Sequence, residues 1–169
     1  MRHLLQNDIL GKAMSEYLKT ARAFTKLLKR HLKDRLVSVV LYGSVASGQE
    51  TSESDVDLLL VIREMNEGHY RRRLLLDPIF EEWDRAQKDP KPFISTILKT
   101  PEEAQKLSAI YFDMVDRSQI LVDRDNFFRN ILKNVETRLI RLGAKRRRLG
   151  KIEYWDLKPD YKPGEIFEI

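Results

Sequence analysis

Residues Leu41 to Ile62 read LYGSVASGQETSESDVDLLLVI. An apolar, Val-rich run ends here on the turn signal Gly43-Ser44, and a second apolar run, Leu58 to Ile62, follows Asp55-Val56-Asp57. The pattern predicts a strand, a short helix and a second strand. Side chains two apart on a strand share a face, so Asp55 and Asp57 should project together where the second strand begins. Adjacent carboxylates repel, and a hard divalent cation such as Mg²⁺ offsets their charge because it takes oxygen ligands. Gly43-Ser44, at a helix start, offers N–H groups to phosphate oxygens, and glycine lets a ligand approach the backbone. One segment thus combines a metal seat with a phosphate seat.

The stretch resembles the nucleotidyltransferases of the DNA polymerase β superfamily, most closely their minimal, stand-alone members. The family motif is Gly-Ser, about ten residues, then Asp-x-Asp opening a strand. Gly43-Ser44 and Asp55-Val56-Asp57 match it in type and spacing, as do Ala46, Gly48 and Ser54. Minimal members often carry Arg where this chain has Ser47. The close match covers residues 35 to 62, and a looser one the first hundred residues. The resemblance implies that Asp55 and Asp57 are catalytic and hold Mg²⁺ or Mn²⁺. It implies that Gly43, Ser44 and Ser54 hold a nucleoside triphosphate, ATP being the favoured one. An acceptor hydroxyl then attacks the α-phosphorus and pyrophosphate leaves.

The family's third carboxylate has no counterpart by this reading. The strand expected to carry it, Phe93 to Leu98, shows Phe93, Ser95 and Ile97 on one face and Ile94, Thr96 and Leu98 on the other. Asp89 precedes the strand. Glu102 and Glu103 follow it in Thr100-Pro101-Glu102-Glu103, which has capping-box spacing and suits a helix start better than a catalytic role.

Composition sets wide bounds. The chain has 169 residues, 42% of them hydrophobic and 34% charged, with a net charge of +5 and no cysteine. A disulfide scaffold and a thiolate zinc site are excluded. The positive balance favours anionic partners, with nucleic acid allowed but not required. Neither a secretory leader nor a membrane-length apolar run is visible, so a soluble, cytoplasmic protein with no membrane partner is expected. The chain also lacks a P-loop and a dinucleotide-binding Gly-x-Gly-x-x-Gly.

Apolar residues at helical spacing predict a helix over 14–36, followed by a strand over Leu36 to Tyr42. Residues 69–76 read as helix. Asp77-Pro78 reads as a kink or a restart, with Asp77 as N-cap, and helix continues to about Gln87. Polar turns are expected at 64–68 and 88–92. Short helices follow Thr100 and Ala109, and a brief strand is expected at 119–122. A long helix over 126–142 is expected to be capped by Asp125 and stopped by Gly143. The tail from Lys151, with Tyr154, Trp155, Tyr161 and Phe167, reads as extended, and Trp83 and Trp155 read as core or tail anchors.

The expected fold is therefore an α/β (α+β), polymerase β-like arrangement with a small mixed sheet flanked by helices. Residues 1–100 would form the nucleotidyltransferase domain and 101–169 a helical C-terminal extension with an extended tail. The resemblance adds a small helical protein as a partner of minimal members. It also leaves a rival function: a nucleotide-binding regulatory module of weak or no activity, such as an antitoxin-like partner protein. Arg71-Arg72-Arg73 and Lys145 to Arg148 read as solvated or helix-stabilising charge, with an RNA or phosphate contact as the alternative. His3, His31 and His69 lack ligand spacing and receive no role.

Overall fold

The computed structural model describes residues 2–65, 68–86, 92–150, 152–162 and 164–166, with backbone alone for 2–15, 69 and 70. The expected turns at 64–68 and 88–92, Gln87, Lys151 and Phe167 lie wholly or partly outside these residues, as do the side chains of His3 and His69.

The centre is a four-stranded sheet. Strands β1 (Leu36–Tyr42), β2 (Val56–Ile62), β3 (Ile94–Lys99) and β4 (Gln119–Asp123) stand in the order β3-β2-β1-β4. β1 runs antiparallel to β2 and β4, while β2 and β3 are parallel, so the sheet is mixed as expected. A parallel pair needs a crossover. Helix α3 (His69–Ala86) supplies it.

Both faces of the sheet are covered. Against one face, α1 (Arg2–Leu32) and α3 bury Tyr17, Phe24, Leu28, Leu76, Ile79 and Trp83. Against the other, α5 (Ile110–Met114) and α6 (Phe127–Leu142) bury Tyr111, Phe112, Phe128, Val135 and Leu139. Sheet residues divide between them, with Val56, Leu58 and Leu60 facing the first layer and Leu59 and Val61 the second. Continuous apolar runs in β1 and β2 follow from this two-sided burial. Trp83 meets Phe24 edge-on at 5.4 Å between ring centroids and is a core anchor. Among the described residues no helix is long and apolar enough to cross a membrane.

Three local expectations need correction. Helix α1 begins at Arg2, well before residue 14, and ends at Leu32, with a 3₁₀ turn over Lys33–Arg35. Helix α3 runs through Asp77-Pro78 without restarting. An internal proline removes a hydrogen bond, but buried Leu76 before it and buried Ile79 and Trp83 after it hold both halves to the same layer. Glu82 pairs across to Arg30 and His31 of α1. Asp125 does not cap α6, because it sits in a 3₁₀ turn at φ +54°. Asp123, at the end of β4, accepts instead from the backbone N–H groups of Phe128 (2.9 Å) and Arg129 (3.0 Å). The same carboxylate accepts from the buried Ser38 hydroxyl at 2.7 Å.

The Gly143 stop and the capping box agree with expectation, whereas the two basic runs depart in part from the reading as solvated or helix-stabilising charge. Gly143 closes α6 at φ +65°. Thr100 and Glu103 form the full capping box of α4 (Pro101–Ala104). Arg72 reaches the same Glu103 with two bonds of 2.7 Å, so one member of the arginine run is a structural clamp between α3 and α4. The basic run 145–148 lies on a strand, β5 (Lys145–Leu149), which pairs with β6 (Ile152–Asp156) in a separate hairpin.

Candidate active site

The turn after β1 and the mouth of β2 meet. Tyr42 is the register partner of Asp57, which brings the following residue, Gly43, over the Asp57 side chain. Gly43 has φ +76°, and a Cβ built there would lie 2.4 Å from Asp57 Oδ2. Only a glycine suits both the conformation and the clearance. Helix α2 (Gly43–Ser47) starts at this point and ends at Gly48. The Ser44 hydroxyl donates to Ser54 Oγ at 3.1 Å, and Ser54 Oγ also accepts from the Thr51 backbone N–H at 2.9 Å. Gly43, Ser44, Ser54 and Asp57 thus form one connected group.

Asp57 lies between buried Val56 and Leu58, and its side chain points to the opposite face, toward the α5–α6 layer. It is half-buried, whereas Asp55, just ahead of the strand, is exposed. Burial pushes the Asp57 carboxyl above the usual carboxylate range, and the negative charge of Asp55 adds to the effect. A hydrogen bond from Ser95 works the other way. Ser95 is the register partner of Asp57 on β3, the strand expected to carry a third acid. Among the described residues no group of three His, Cys, Asp or Glu side chains is placed to hold a metal ion.

The donor set nevertheless fits a hard cation. Two carboxylates repel each other, one of them is partly withdrawn from water, and the neighbouring hydroxyl is uncharged. Mg²⁺ is commonly held by one or two carboxylates and completed by substrate phosphates and water.

A cavity of about 280 Å³ opens beside the turn. Tyr42, Gly43 and Ser44 line it from the β1–α2 junction, and Ile110, Asp113 and Arg117 from α5 and the residues after it. The Tyr42 phenol is pushed up to about 12, by burial first and Asp57 second, so it stays neutral at physiological pH. Tyr42, Asp113 and Arg117 are not singled out by the sequence motif. Tyr42 could have been found from its position just before Gly43, but Asp113 and Arg117 are brought in by packing alone.

The loop between the turn and the acid pair is tied to α1. Tyr17 Oη donates to the carbonyl oxygens of Thr51 (2.9 Å) and Ser52 (3.2 Å). Glu50 in that loop is 8% exposed, and among the described residues neither carboxylate oxygen has a hydrogen-bond partner.

The sequence profile of the nucleotidyltransferase domain family matches residues 22–161, which include all of these residues except Tyr17. The chain belongs to that family. As a member it is a transferase enzyme of the nucleotidyl class, in agreement with the resemblance read from the motif. Two similar proteins come from Methanocaldococcus jannaschii, both described as candidate protein adenylyltransferases. One is 29% identical over 116 residues, spanning 67% of this chain and 76% of its own length. The other is 42% identical over 50 residues, spanning 30% of this chain and 50% of its own length. Among solved structures, a toxin–antitoxin complex with AMP-PNP overlaps 72% of this chain and 92% of its own, with 14% identity and a TM-score of 0.45. A Shewanella oneidensis complex of a tri-AMPylated HEPN toxin with an MNT antitoxin overlaps 75% and 92%, with 13% identity and a TM-score of 0.43. Overlaps this loose establish neither fold nor function.

Proposed function

We propose that this nucleotidyltransferase moves AMP from ATP onto a hydroxyl group of a protein. The observation that carries the reading is the contact of Gly43 with Asp57, since it sets a phosphate-binding turn against a metal-binding acid. The acceptor class is taken from the candidate protein adenylyltransferase of which this chain spans 76%. RNA and small-molecule hydroxyls are the competing acceptors.

Gly43, Ser44 and Ser54 bind the triphosphate tail. The Ser44 hydroxyl now donates to Ser54, and it turns to a phosphate oxygen when one arrives, leaving Ser54 with the Thr51 N–H. Asp55 and Asp57 are the residues that would hold Mg²⁺ or Mn²⁺. When bound, such a cation would neutralise charge on the triphosphate and help align the attacking and leaving oxygens. The acceptor oxygen bonds to the α-phosphorus, the bond from that phosphorus to the bridging oxygen breaks, and pyrophosphate departs. The hydroxyl proton goes to water, because Ser95 at the β3 position is not a base. Asp57 must be ionised to take a cation, and its raised pKa means that metal and proton compete for it.

Ser95 also favours a second reading, a nucleotide-binding regulatory module with weak or no transfer, of the kind expected of an antitoxin-like partner. One experiment separates the two. The protein is incubated with Mg²⁺ and ATP labelled at the α-phosphate, with candidate protein and RNA acceptors, beside a D55N/D57N control. Label that moves to protein and vanishes in the control supports the adenylyltransferase. Thermal stabilisation by ATP without transfer supports the module.

A further inference from the structure

Among the described residues lining the cavity beside Gly43 and Ser44, Arg117 is the one cation. The acid on that wall, Asp113, is already paired. Its Oδ1 accepts from Arg146 Nη1 at 2.8 Å and from Trp155 Nε1 at 3.0 Å. Both partners come from the β5–β6 hairpin. Arg146 also holds Asp116 at 2.7 Å and lies over the Trp155 ring at 4.8 Å from the guanidinium carbon to its centroid. The hairpin is therefore clamped to the wall of the cavity by Arg146 and Trp155.

The hairpin makes one more contact with that wall. Glu153 Oε2 accepts from Arg117 Nη1 at 2.6 Å. The pair is partly open to water, with the side chains 30% and 35% exposed. Glu153 also has a second cation within reach, since the same oxygen lies 3.9 Å from Arg146 Nη1. Arg117 engages Glu153 through a single nitrogen, while a guanidinium presents five N–H donors in a fork that suits phosphate oxygens.

We propose that Arg117 binds the phosphates of the nucleotide in this cavity and that Glu153 competes for it, so that nucleotide binding and this hairpin contact oppose each other. The inference rests on the nucleotidyl-transfer reading above. An incoming triphosphate brings several negative charges into this cavity, beside the turn that rests on Asp57, and Arg117 is the charge in its lining available to meet them. A partly exposed ion pair is weak, so phosphate displaces Glu153 at little cost. Glu153 then turns to Arg146, and the Arg146–Trp155 clamp keeps the hairpin attached. By reciprocity, loosening Glu153 must tighten nucleotide binding.

The test is calorimetric titration of AMP-PNP with Mg²⁺ into the full chain and into R117Q, R117K, E153Q and the R117Q/E153Q double variant. Expected are a Kd raised about tenfold or more in R117Q and partly restored in R117K, and a Kd lowered about threefold in E153Q. In the double variant the gain from E153Q disappears. A gain in affinity cannot come from misfolding, so E153Q keeps the test decisive even if R117Q folds poorly. The proposal is overturned if R117Q binds as the wild type does, if E153Q binds no tighter, or if its gain survives without Arg117. If D55N/D57N abolishes binding while R117Q leaves it intact, this proposal alone fails. If the wild type has no affinity for the nucleotide, the functional reading fails with it.

Discussion

Gly43 presses its backbone against the Asp57 carboxylate so closely that a methyl group would sit 2.4 Å from Oδ2. Replacing Gly43 with Ala therefore meets two obstacles, a steric clash and a left-handed φ of +76°. We expect G43A to lose about 1–2 kcal/mol of stability from the backbone alone. Nucleotidyl transfer should fall by about 100-fold or more, because the acid is displaced from its working position. Chemical denaturation and label transfer measure the two effects. A G43A protein with wild-type transfer would show that this contact is irrelevant to the chemistry.

Asp57 should be a stability liability. Its folded pKa is raised, so its favourable contribution is fully present below about pH 3.8, the ordinary value for the group, and is lost as pH rises through the folded value. Without divalent metal, D57N should melt a few degrees higher than the wild type at pH 7, where about 1 kcal/mol corresponds to 2–4 °C in a chain of this size. The difference should shrink toward pH 3.5, where the wild-type carboxyl becomes neutral. Melting curves across pH check this. A D57N protein that melts lower at pH 7 contradicts it.

Mg²⁺ should reverse that ranking. A cation that binds the native state alone raises its stability with the logarithm of concentration. The wild type should gain melting temperature in Mg²⁺ with AMP-PNP, D55N/D57N should not, and EDTA should remove the gain. Equal stabilisation of both proteins would place the cation elsewhere.

Glu103 reports on acid stability. Two bonds from Arg72, with the Thr100 backbone N–H, bring its carboxyl down to about 2. The stabilisation is present above the ordinary value of 4.5 and is lost as pH falls toward about 2. E103Q should cost about 1 kcal/mol at pH 7 from the lost ion pair and weakened cap. It should also flatten the loss of stability between pH 4.5 and 2. Urea unfolding at several pH values measures the slope, and an unchanged slope would remove Glu103 from the account.

Asp123 joins β4, β1 and α6. Its carboxylate accepts from the Phe128 and Arg129 N–H groups and from the Ser38 hydroxyl, which is wholly buried. D123A should lose about 2–3 kcal/mol, since it removes a helix cap and leaves a buried hydroxyl unsatisfied. D125A should cost far less. Parallel denaturation of the two variants tests the ranking directly.

The central segment was legible because its signals are local. The run from Leu36 to Tyr42 became β1 with those bounds, and Gly143 ended α6. Burial on both sides explains why β1 and β2 are mostly apolar, Ser38 and Asp57 apart, and that pattern is plain in one dimension. What stayed hidden depends on distant partners. Asp123 outranked Asp125 as a cap because the chain turns between them. Pro78 suggests a kink or a restart because proline's local effect is visible in sequence, while the packing of Leu76, Ile79 and Trp83 that rules out the restart is not. Arg117 and Asp113 reach the cavity only because α5 lies over the second face, and Glu153 reaches Arg117 only because the β5–β6 hairpin folds back onto it. Ser95 shows the converse. Its strand and its lack of an acid were readable, whereas its register opposite Asp57 required the parallel pairing.

Glu50 sets a limit on how robust this fold can be. Its carboxyl is buried and neither oxygen has a hydrogen-bond partner among the described residues, in the loop that links the glycine turn to the acid pair. Desolvating such a group without a partner weakens a native state, so the segment bearing the motif has reason to loosen before the sheet does. Anyone hardening this protein against heat would start by trimming that side chain to alanine, and would watch whether turnover slows as the loop stiffens.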